Sequence, residues 1–375
     1  MIQINDKKNC CGCGACEQRC PQHCISLQPD EQGFLYPIVN ENVCVNCKIC
    51  EKVCPVINTK SENEPLTTYA AINPNKSTRL KSSSGGVFSL LAERTIKEGG
   101  VVFGARFNEK WEVIHDYAST INEIDPFRGS KYVQSAIRDN FKKAEYFLKK
   151  DKQVLFSGTP CQIAGLKSFL RKDYSNLITV EVACHGVSSP LIWKSYLELI
   201  KKNGTIKTIS FRNKSKGWKN FCFLVEQETK TILEPFNENI YMRGFLENIF
   251  LRPSCYECPF KAGRSLSDFT IADFWGIQFF EELSDDDLGT SLVLVNTLKG
   301  LSLWKQTSLN HTDVNFERVL PFNIALVSCV KKNNRYDFFW KEYSKVGIDA
   351  ISRTINKKNN LLKRAYNKLK IIINK

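Results

Sequence analysis

The residues best suited to chemistry in this chain are its cysteines, sixteen in all, ten of which lie within the first 54 residues. They form two runs with the same spacing, Cys-x2-Cys-x2-Cys-x3-Cys-Pro, which begin at Cys10 and at Cys44. In this pattern three cysteines of a run bind one 4Fe-4S cubane and the fourth reaches the other cubane. The spacing therefore predicts two crossed ligand sets, the first being Cys10, Cys13, Cys16 and Cys54 and the second Cys44, Cys47, Cys50 and Cys20.

Two other kinds of thiol chemistry compete with this interpretation. Cys-x2-Cys pairs also bind structural zinc, which needs only four thiolates, whereas the doubled run with its prolines is typical of iron–sulfur proteins. Disulfides are disfavoured because the N-terminus has no signal-peptide pattern and we expect a cytoplasmic protein. Cys11 and Cys24 lie outside the pattern and are interpreted as buried thiols, although Cys11 replaces Cys10 if the loop slips by one residue.

The elements that must position these thiols divide the chain into four segments. Residues 1–58 contain the duplication and are predicted to form an α+β ferredoxin-like module, followed by a polar linker at 59–66. From 67 to 350, β-rich runs alternate with amphipathic helical ones, which is typical of an α/β domain. The segment 351–375 places apolar residues at helical spacing among basic ones, which predicts a basic amphipathic C-terminal helix.

Two predicted strands of the α/β domain end in turns that carry isolated cysteines. The strand VLFSG leads to Cys161, and the strand LITVEVAC ends at Cys184. Active-site loops are common at such strand ends. The segment 252–276 is predicted to be loop-like, and it supplies the close pair Cys255 and Cys258.

The positive charge of the chain permits several kinds of partner. Its net charge is +14, from 53 Lys and Arg against 39 Asp and Glu, which suits an anionic cofactor, an acidic protein, a membrane surface or nucleic acid. We expect no nucleic-acid partner because no recognition motif accompanies the charge. The C-terminal helix either packs on the domain or a dimer mate, or makes peripheral contact with a membrane or an acidic partner.

Six short motifs follow the cysteine runs in a fixed order. They are SSSGGVF, RGSKYVQS, SGTPCQ, ACHGV, SCYECPF and DFWG, between Ser82 and Gly276. Together they resemble the family of coenzyme F-420 hydrogenase/dehydrogenase beta subunits, and the resemblance extends to about residue 330. It implies a flavoprotein domain at 67–350 that holds FAD beside a third 4Fe-4S cluster. It also implies a flavin- and iron–sulfur-dependent oxidoreductase, in which clusters carry single electrons and FAD exchanges two with an organic substrate.

The resemblance also suggests which residues hold the third cluster. The expected ligands combine the close pair with the two cysteines at the strand ends: Cys161, Cys184, Cys255 and Cys258. From spacing alone, Cys161 and Cys184 are more often buried thiols and less often nucleophiles. Cys255 and Cys258 could bind zinc or be free thiols. Cys222 and Cys329 lie on apolar runs and are interpreted as core residues.

Further residues are candidates for flavin binding and catalysis. The glycines after three serines suit a phosphate at a helix N-terminus, or alternatively an ordinary helix cap. Lys131 and Arg128 would face the flavin pyrophosphate or else solvent, and Asp273 would order the flavin edge unless DFWG serves only aromatic packing. His185 and Lys131 are the candidate catalytic residues, whereas His115 has no evident partner. The predicted FAD-binding residues are Ser84, Gly85, Gly86, Arg128, Lys131, Thr159 and Asp273.

The resemblance implies a redox partner protein, either ferredoxin or a larger enzyme, and a small-molecule substrate. Relatives act on the deazaflavin coenzyme, on formate or on chlorophyll-type pigments. The Lys- and Asn-rich composition resembles a bacterial group found beside surface-polysaccharide enzymes, which favours an organic substrate from that metabolism. The alternative is a non-catalytic electron-transfer subunit that docks to a larger redox enzyme through its basic surface.

Overall fold

The computed structural model describes residues 1–202, 204–307 and 309–355. Within this part the protein has a mixed α/β fold with sheets of two, three and eight strands. The predicted basic helix at 351–375 lies, from residue 356 onward, outside the described residues. Among the residues described, no helix has both the length and the apolar content needed to cross a bilayer.

The two cysteine runs fold into similar loop–helix units. The first two cysteines of each run precede a short helix that contains the third, α1 (Ala15–Arg19) or α2 (Ile49–Lys52). Each helix has a left-handed residue at its N-cap, Gly14 with φ 77° or Lys48 with φ 58°, so the chain turns sharply beside the thiols. An antiparallel hairpin joins the two units and consists of β1 (Ile25–Pro29) and β2 (Leu35–Val39).

The remaining strands follow in chain order as β3 (Thr67–Ile72), β4 (Val101–Phe107), β5 (Val113–Ala118), β6 (Val154–Gly158), β7 (Leu177–Val182), β8 (Ile206–Asn213), β9 (Cys222–Gln227), β10 (Thr231–Pro235), β11 (Phe269–Asp273), β12 (Ser291–Val295) and β13 (Asn310–Asp313). The large sheet has the order β13-β3-β12-β11-β7-β6-β4-β5, and the small one β10-β9-β8. The neighbours β4, β6, β7 and β11 are parallel, and the other pairs are antiparallel. The carboxyl ends of β6, β7 and β11 therefore share one edge of the sheet.

The further helices described are α3 (Lys76–Lys81), α4 (Val87–Lys97), α5 (Asn140–Lys149), α6 (Pro160–Leu170), α7 (Pro190–Lys201), α8 (Ile240–Leu246), α9 (Leu298–Trp304), α10 (Phe316–Val319) and α11 (Tyr336–Val346). Alternating side chains of β6 build two cores, since successive strand residues face opposite sides of a sheet. Val154 and Phe156 pack with α5 and α6, whereas Leu155 packs with α4 and α9. The parallel strands are thus covered on both faces.

The cysteine-rich module packs directly against the α5–α6 side. Cys11, Cys13, Ala15 and Val53 belong to the same buried cluster as the apolar residues of α6. The expected linker also lies against the larger domain, because the amide of Asn63 donates to the carbonyl of Ala262 (3.0 Å).

Most strands and helices expected from the sequence are present, with one correction. The expected strand VLFSG is β6, and the helical stretches after SSSGG and SGTP are α4 and α6. The sequence pattern predicts a loop-like segment at 252–276, but residues Phe269–Asp273 form β11 in the middle of the large sheet. This strand is short and pairs on both sides, which a single-sequence pattern does not reveal.

Candidate functional site

The structure brings the first predicted set of four thiols to one small cavity. A cavity of about 20 Å³ is lined by Cys10, Cys13 and Cys16 of the first run and by Cys54 of the second. Cys11 lines the same cavity, so the thiol interpreted as a spare lies beside the predicted ligands. The fourth residue of the second run therefore reaches the first unit, as the crossed pattern predicts.

A second cavity gathers the other predicted set. It has a volume of about 10 Å³ and is lined by Cys44, Cys47 and Cys50 together with Cys20 of the first run. Cys24 also lines it, with its sulfur 3.4 Å from that of Cys20. Cys47 is exposed, in contrast to the buried Cys50, so this cavity has an edge at the protein surface.

Two thiols of the first cavity lie where burial disfavours a free thiolate. Burial raises the pKa of Cys16 and of Cys54, so each thiol keeps its proton until a metal displaces it. The described residues contain no group of three or more ligating side chains drawn together for a single metal ion.

The four cysteines expected to hold a third cluster also come together. Cys161 lies in the first turn of α6, Cys184 follows β7, and Cys255 and Cys258 lie in and after the 3-10 helix Pro253–Glu257. Burial, followed by the charge of Cys184, raises the pKa of Cys255. Burial, followed by the charge of Cys161, raises the pKa of Cys258 to about 12. Gly186, two residues after Cys184, lies against Cys255, because a Cβ built on this glycine would be 3.7 Å from the sulfur of Cys255.

Cys11 links the first cavity to this third set. The thiol of Cys13 raises the pKa of Cys11, and the thiol of Cys11 in turn raises that of Cys161, with burial adding to both. Cys11 therefore lies between two predicted ligands that are far apart in the sequence. Spacing alone did not single it out for this position.

A much larger cavity, of about 530 Å³, opens at the carboxyl edge of the parallel strands. Its size is in the range of ligand sites in proteins. The lining includes Cys184, so one thiol of the third set borders it directly. It also includes seven of the predicted flavin-binding and catalytic residues, namely Ser84, Gly86, Arg128, Lys131, Thr159, His185 and Asp273.

Gly85 lies behind the wall of this cavity. Its amide donates to the hydroxyl of Ser291 (3.0 Å), and a Cβ at this position would come within 2.4 Å of the carbonyl oxygen of Ala71. The residue is thus required for close packing on the sheet. The neighbouring Gly86, with φ 83°, forms the N-cap of α4 at the cavity.

The two predicted basic residues of the cavity differ in their partners. Arg128 pairs with the carboxylates of Glu93 and Asp125, so its charge is already neutralised. Lys131 donates only to the carbonyl oxygens of Pro126 (2.7 Å) and Arg128 (2.9 Å) and has no carboxylate partner among the described residues. Burial lowers the pKa of Lys131 to about 7.

Both histidines at the cavity are held in place by hydrogen bonds. His185 lies 2.6 Å from the amide oxygen of Asn248, and burial lowers its pKa. His115, expected to lack a partner, lies 3.0 Å from the carbonyl of Ser157 and 2.9 Å from the hydroxyl of Ser135. Burial lowers the pKa of His115 to about 4, so this ring is neutral at pH 7.

Arg212 is a cavity residue that the sequence did not single out. Its guanidinium pairs with Asp273 at 2.8 Å and lies 4.0 Å from the ring centre of Phe221. Its buried Nε atom has no hydrogen-bond partner in the described structure. As a planar cation that lines the cavity, the guanidinium suits an anionic or electron-rich ligand. No local motif surrounds Arg212, so only the fold reveals it.

The aromatic residues of DFWG pack as their structural interpretation predicts. Trp275 stacks on Trp218 with ring centres 4.5 Å apart, and Phe274 packs edge-on against Phe280. Trp275 nevertheless remains partly exposed at the cavity. Packing and a place at the cavity are therefore compatible.

The fold and the thiol arrangement define an iron–sulfur electron-transfer protein. Residues 9–58 match the family described as the 4Fe-4S dicluster domain. Residues 151–315 match the family described as the C terminus of the beta subunit of coenzyme F420 hydrogenase/dehydrogenase. These two matches support the resemblance carried by the six motifs, with a ferredoxin-type domain on the N-terminal side of a segment similar to the beta subunits.

Three relatives show the same similarity. The F subunit of the F(420)H(2) dehydrogenase of Methanosarcina mazei is 26% identical over 184 residues, 46% of this chain and 51% of that protein. An uncharacterised protein of Methanocaldococcus jannaschii is 25% identical over 201 residues, 46% of this chain and 55% of that protein. An uncharacterised ferredoxin of the same organism is 40% identical over 52 residues, 14% of this chain and 66% of that protein. The chain spans about half the length of the first two relatives.

Among solved structures, a chain of the F420-reducing NiFe hydrogenase complex from Methanosarcina barkeri is similar to this protein. The match covers 80% of this chain and 94% of that chain, with 17% sequence identity and a TM-score of 0.45.

Proposed function

We propose that the chain is an electron-transfer subunit of a larger redox enzyme, in which iron–sulfur clusters of the module 1–58 exchange electrons with a flavin in the domain 67–350. One observation carries the proposal. The thiols form a continuous series from the exposed Cys47, through the two small cavities and Cys11, to Cys184 at the large cavity. Such a series suits stepwise transfer between a surface partner and a buried cofactor.

The thiols would hold three 4Fe-4S clusters. The first takes Cys10, Cys13, Cys16 and Cys54, and the second takes Cys44, Cys47, Cys50 and Cys20. The third takes Cys161, Cys184, Cys255 and Cys258, and its position beside the large cavity would connect the module to the flavin.

The large cavity would hold FAD through its basic groups. Lys131 would hold an anionic phosphate, because its ammonium has only carbonyl partners. Arg212, fixed by Asp273, lines the cavity and would contribute its guanidinium to the ligand site. When bound, a flavin accepts single electrons from clusters and exchanges pairs of electrons with an organic partner.

The redox partner would dock where the second set of thiols reaches the surface. Exposed apolar side chains surround Cys47, among them Val43 and Val45, which are 45% and 63% exposed. An apolar surface next to an electron-transfer centre suits contact with another protein. The relative from Methanosarcina mazei is itself named as a subunit, which favours assembly with partner chains over independent catalysis.

A second candidate is an oxidoreductase that reduces a small organic substrate by itself. The mouth of the large cavity favours it, because Trp275 and Phe322 line the cavity and are 37% and 38% exposed. Such a rim would bind an apolar or aromatic group of a substrate. In this case His185 and Lys131, which also line the cavity, would contact the substrate.

Anaerobic purification with iron, sulfide and flavin analysis tests the proposal. Three cubanes and one flavin require about twelve irons, matching sulfide and one FAD per chain. Zinc in place of iron would refute the electron-transfer role. Mixing the reduced, isolated chain with candidate substrates separates the electron-transfer subunit from the independent oxidoreductase. Turnover without a partner protein would support only the independent oxidoreductase.

A further inference from the structure

Arg252 occupies an unusual position between the cysteine-rich module and the larger domain. It immediately precedes the 3-10 helix that carries Cys255, and its side chain is almost completely buried. Its guanidinium donates to the carbonyl oxygens of Cys10 (2.8 Å) and Leu35 (2.9 Å) and to the amide oxygen of Gln134 (3.0 Å). All three acceptors are neutral.

In the described part of the chain, no carboxylate forms an ion pair with Arg252. The ring of Tyr36 lies 4.3 Å from the guanidinium, which adds a cation–π contact but no full counter-charge. A buried, unpaired cation costs several kcal/mol, so the fold requires a nearby anion.

The nearest anionic chemistry is that of the cluster ligands. Nη2 of Arg252 lies 3.7 Å from the sulfur of Cys10, and the backbone carbonyl of Arg252 accepts from the amide of Cys255 (2.9 Å). Gly12 permits this approach, because a Cβ there would lie 2.8 Å from Nη1 of Arg252. The guanidinium is therefore adjacent to one ligand of the first proposed cluster, and the backbone of Arg252 is hydrogen-bonded to one ligand of the third.

We propose that Arg252 is the shared counter-charge of the first and third clusters and raises their reduction potentials. This rests on the proposed iron–sulfur function. A cubane gains one negative charge on reduction, and a buried positive charge beside it stabilises the reduced form. Arg252 is thus a positioning and tuning residue at the junction through which electrons pass.

The test compares Arg252→Gln, which removes the charge, with Arg252→Lys, which keeps it but loses the planar fork of donors. The control variant, Arg94→Gln, removes a distant positive charge on α4, where Arg94 pairs with Glu98. The anaerobic full-length proteins are titrated with dithionite while each cluster signal is followed by electron paramagnetic resonance.

In Arg252→Gln we expect the reduction equilibria of the first and the third cluster each to fall at least tenfold, about 59 mV for one electron. The potential of the second cluster in Arg252→Gln should match the wild type, as should every potential in Arg94→Gln. In Arg252→Lys the potentials should shift by less than half as much as in Arg252→Gln. Unchanged potentials in Arg252→Gln, or an equal shift in Arg252→Lys, would overturn the proposal.

Iron content decides the outcome if Arg252→Gln fails to assemble. Full iron and wild-type potentials in Arg252→Lys then support the need for charge, whereas loss of iron in both variants assigns Arg252 a purely structural role. Absence of cluster signals from the wild type would instead refute the proposed function itself, so the two failures are distinguishable.

Discussion

Gly165 of α6 lies directly against Cys13 of the first cysteine run. A Cβ built on Gly165 would come within 2.7 Å of the Cβ of Cys13 and 3.0 Å of its sulfur. The backbone of the larger domain therefore approaches a predicted cluster ligand as closely as atoms allow. Any side chain at this position must displace the helix or the cysteine loop.

Gly165→Ala should therefore destabilise the protein despite improving helix propensity. In an open helix this change stabilises by about 1 kcal/mol, but overpacking a tight contact costs about 1–3 kcal/mol. Urea unfolding under anaerobic conditions measures the difference, and iron analysis shows whether the first cluster is lost. Ser168→Ala, a half-buried site on the same helix, is the control. A variant as stable as the wild type, with full iron, would show that the contact relaxes without cost.

Cys255→Ala should remove the third cluster alone. The loss expected is about four of about twelve irons, because the two N-terminal sets retain all their thiols. The matched control is Cys222→Ala, whose thiol is buried on β9 and lines none of the three cavities described. Iron and sulfide analysis of both variants gives the answer, and unchanged iron in Cys255→Ala would reject this ligand set.

Lys131 should make flavin binding dependent on pH. Because burial lowers its pKa to about 7, the amine becomes neutral as the pH rises above that value and no longer attracts a phosphate. The dissociation constant of FAD should then rise by at most about tenfold per pH unit. Fluorescence titration of flavin-free protein between pH 6 and 9 measures this.

The variant Lys131→Met should bind FAD weakly and with no such pH dependence. Lys143→Met, which removes an exposed lysine paired with Asp139, should behave as the wild type. A wild-type slope retained in Lys131→Met would assign the pH dependence to another group.

His115 should weaken the fold in acid. Its folded pKa of about 4 lies below the ordinary value of 6.5, so the unfolded chain binds more protons between these values. Stability is therefore complete above about pH 6.5 and falls as the pH drops toward 4, with about 2 kcal/mol lost by pH 5. Denaturant unfolding at pH 5 and pH 7.5 tests this in the wild type and in His115→Gln, which should lack this part of the loss. An equal loss in both proteins would contradict it.

Asp273→Asn should leave Arg212 buried without its counter-charge. Removing one partner of a buried pair costs about 3 kcal/mol, and the cavity should also lose affinity for flavin. Asp286→Asn makes the matched change at the Arg79 pair, where the carboxylate is 47% exposed, and a smaller loss is expected. Thermal unfolding compares the two variants, and an equal or greater loss in Asp286→Asn would contradict the expectation.

The sequence predicted those features whose information is local. The two cysteine runs carry their spacing within eleven residues each, and both crossed sets line the cavities as predicted. The strand β6 is recognisable because five apolar or small residues precede a turn. The ligand assignments themselves remain predictions.

The features that were missed depend on contacts between distant segments. Arg252 donates to the carbonyl of Cys10, 242 positions earlier, and nothing near either residue indicates this pairing. Gly85 appeared available to a phosphate because its partner, Ser291, lies 206 positions later. The strand β11 was missed because neighbouring strands, not its own pattern, specify it.

The mixed origin of the thiols in each small cavity has a consequence for biosynthesis. A nascent chain that has reached residue 40 contains every cysteine of the first run but lacks Cys54, which completes that cavity. Neither cavity can be lined fully by one repeat, so metal loading must await the emergence of both from the ribosome. A truncated product that ends within the hairpin would carry the thiols of the first run without a complete iron-binding site.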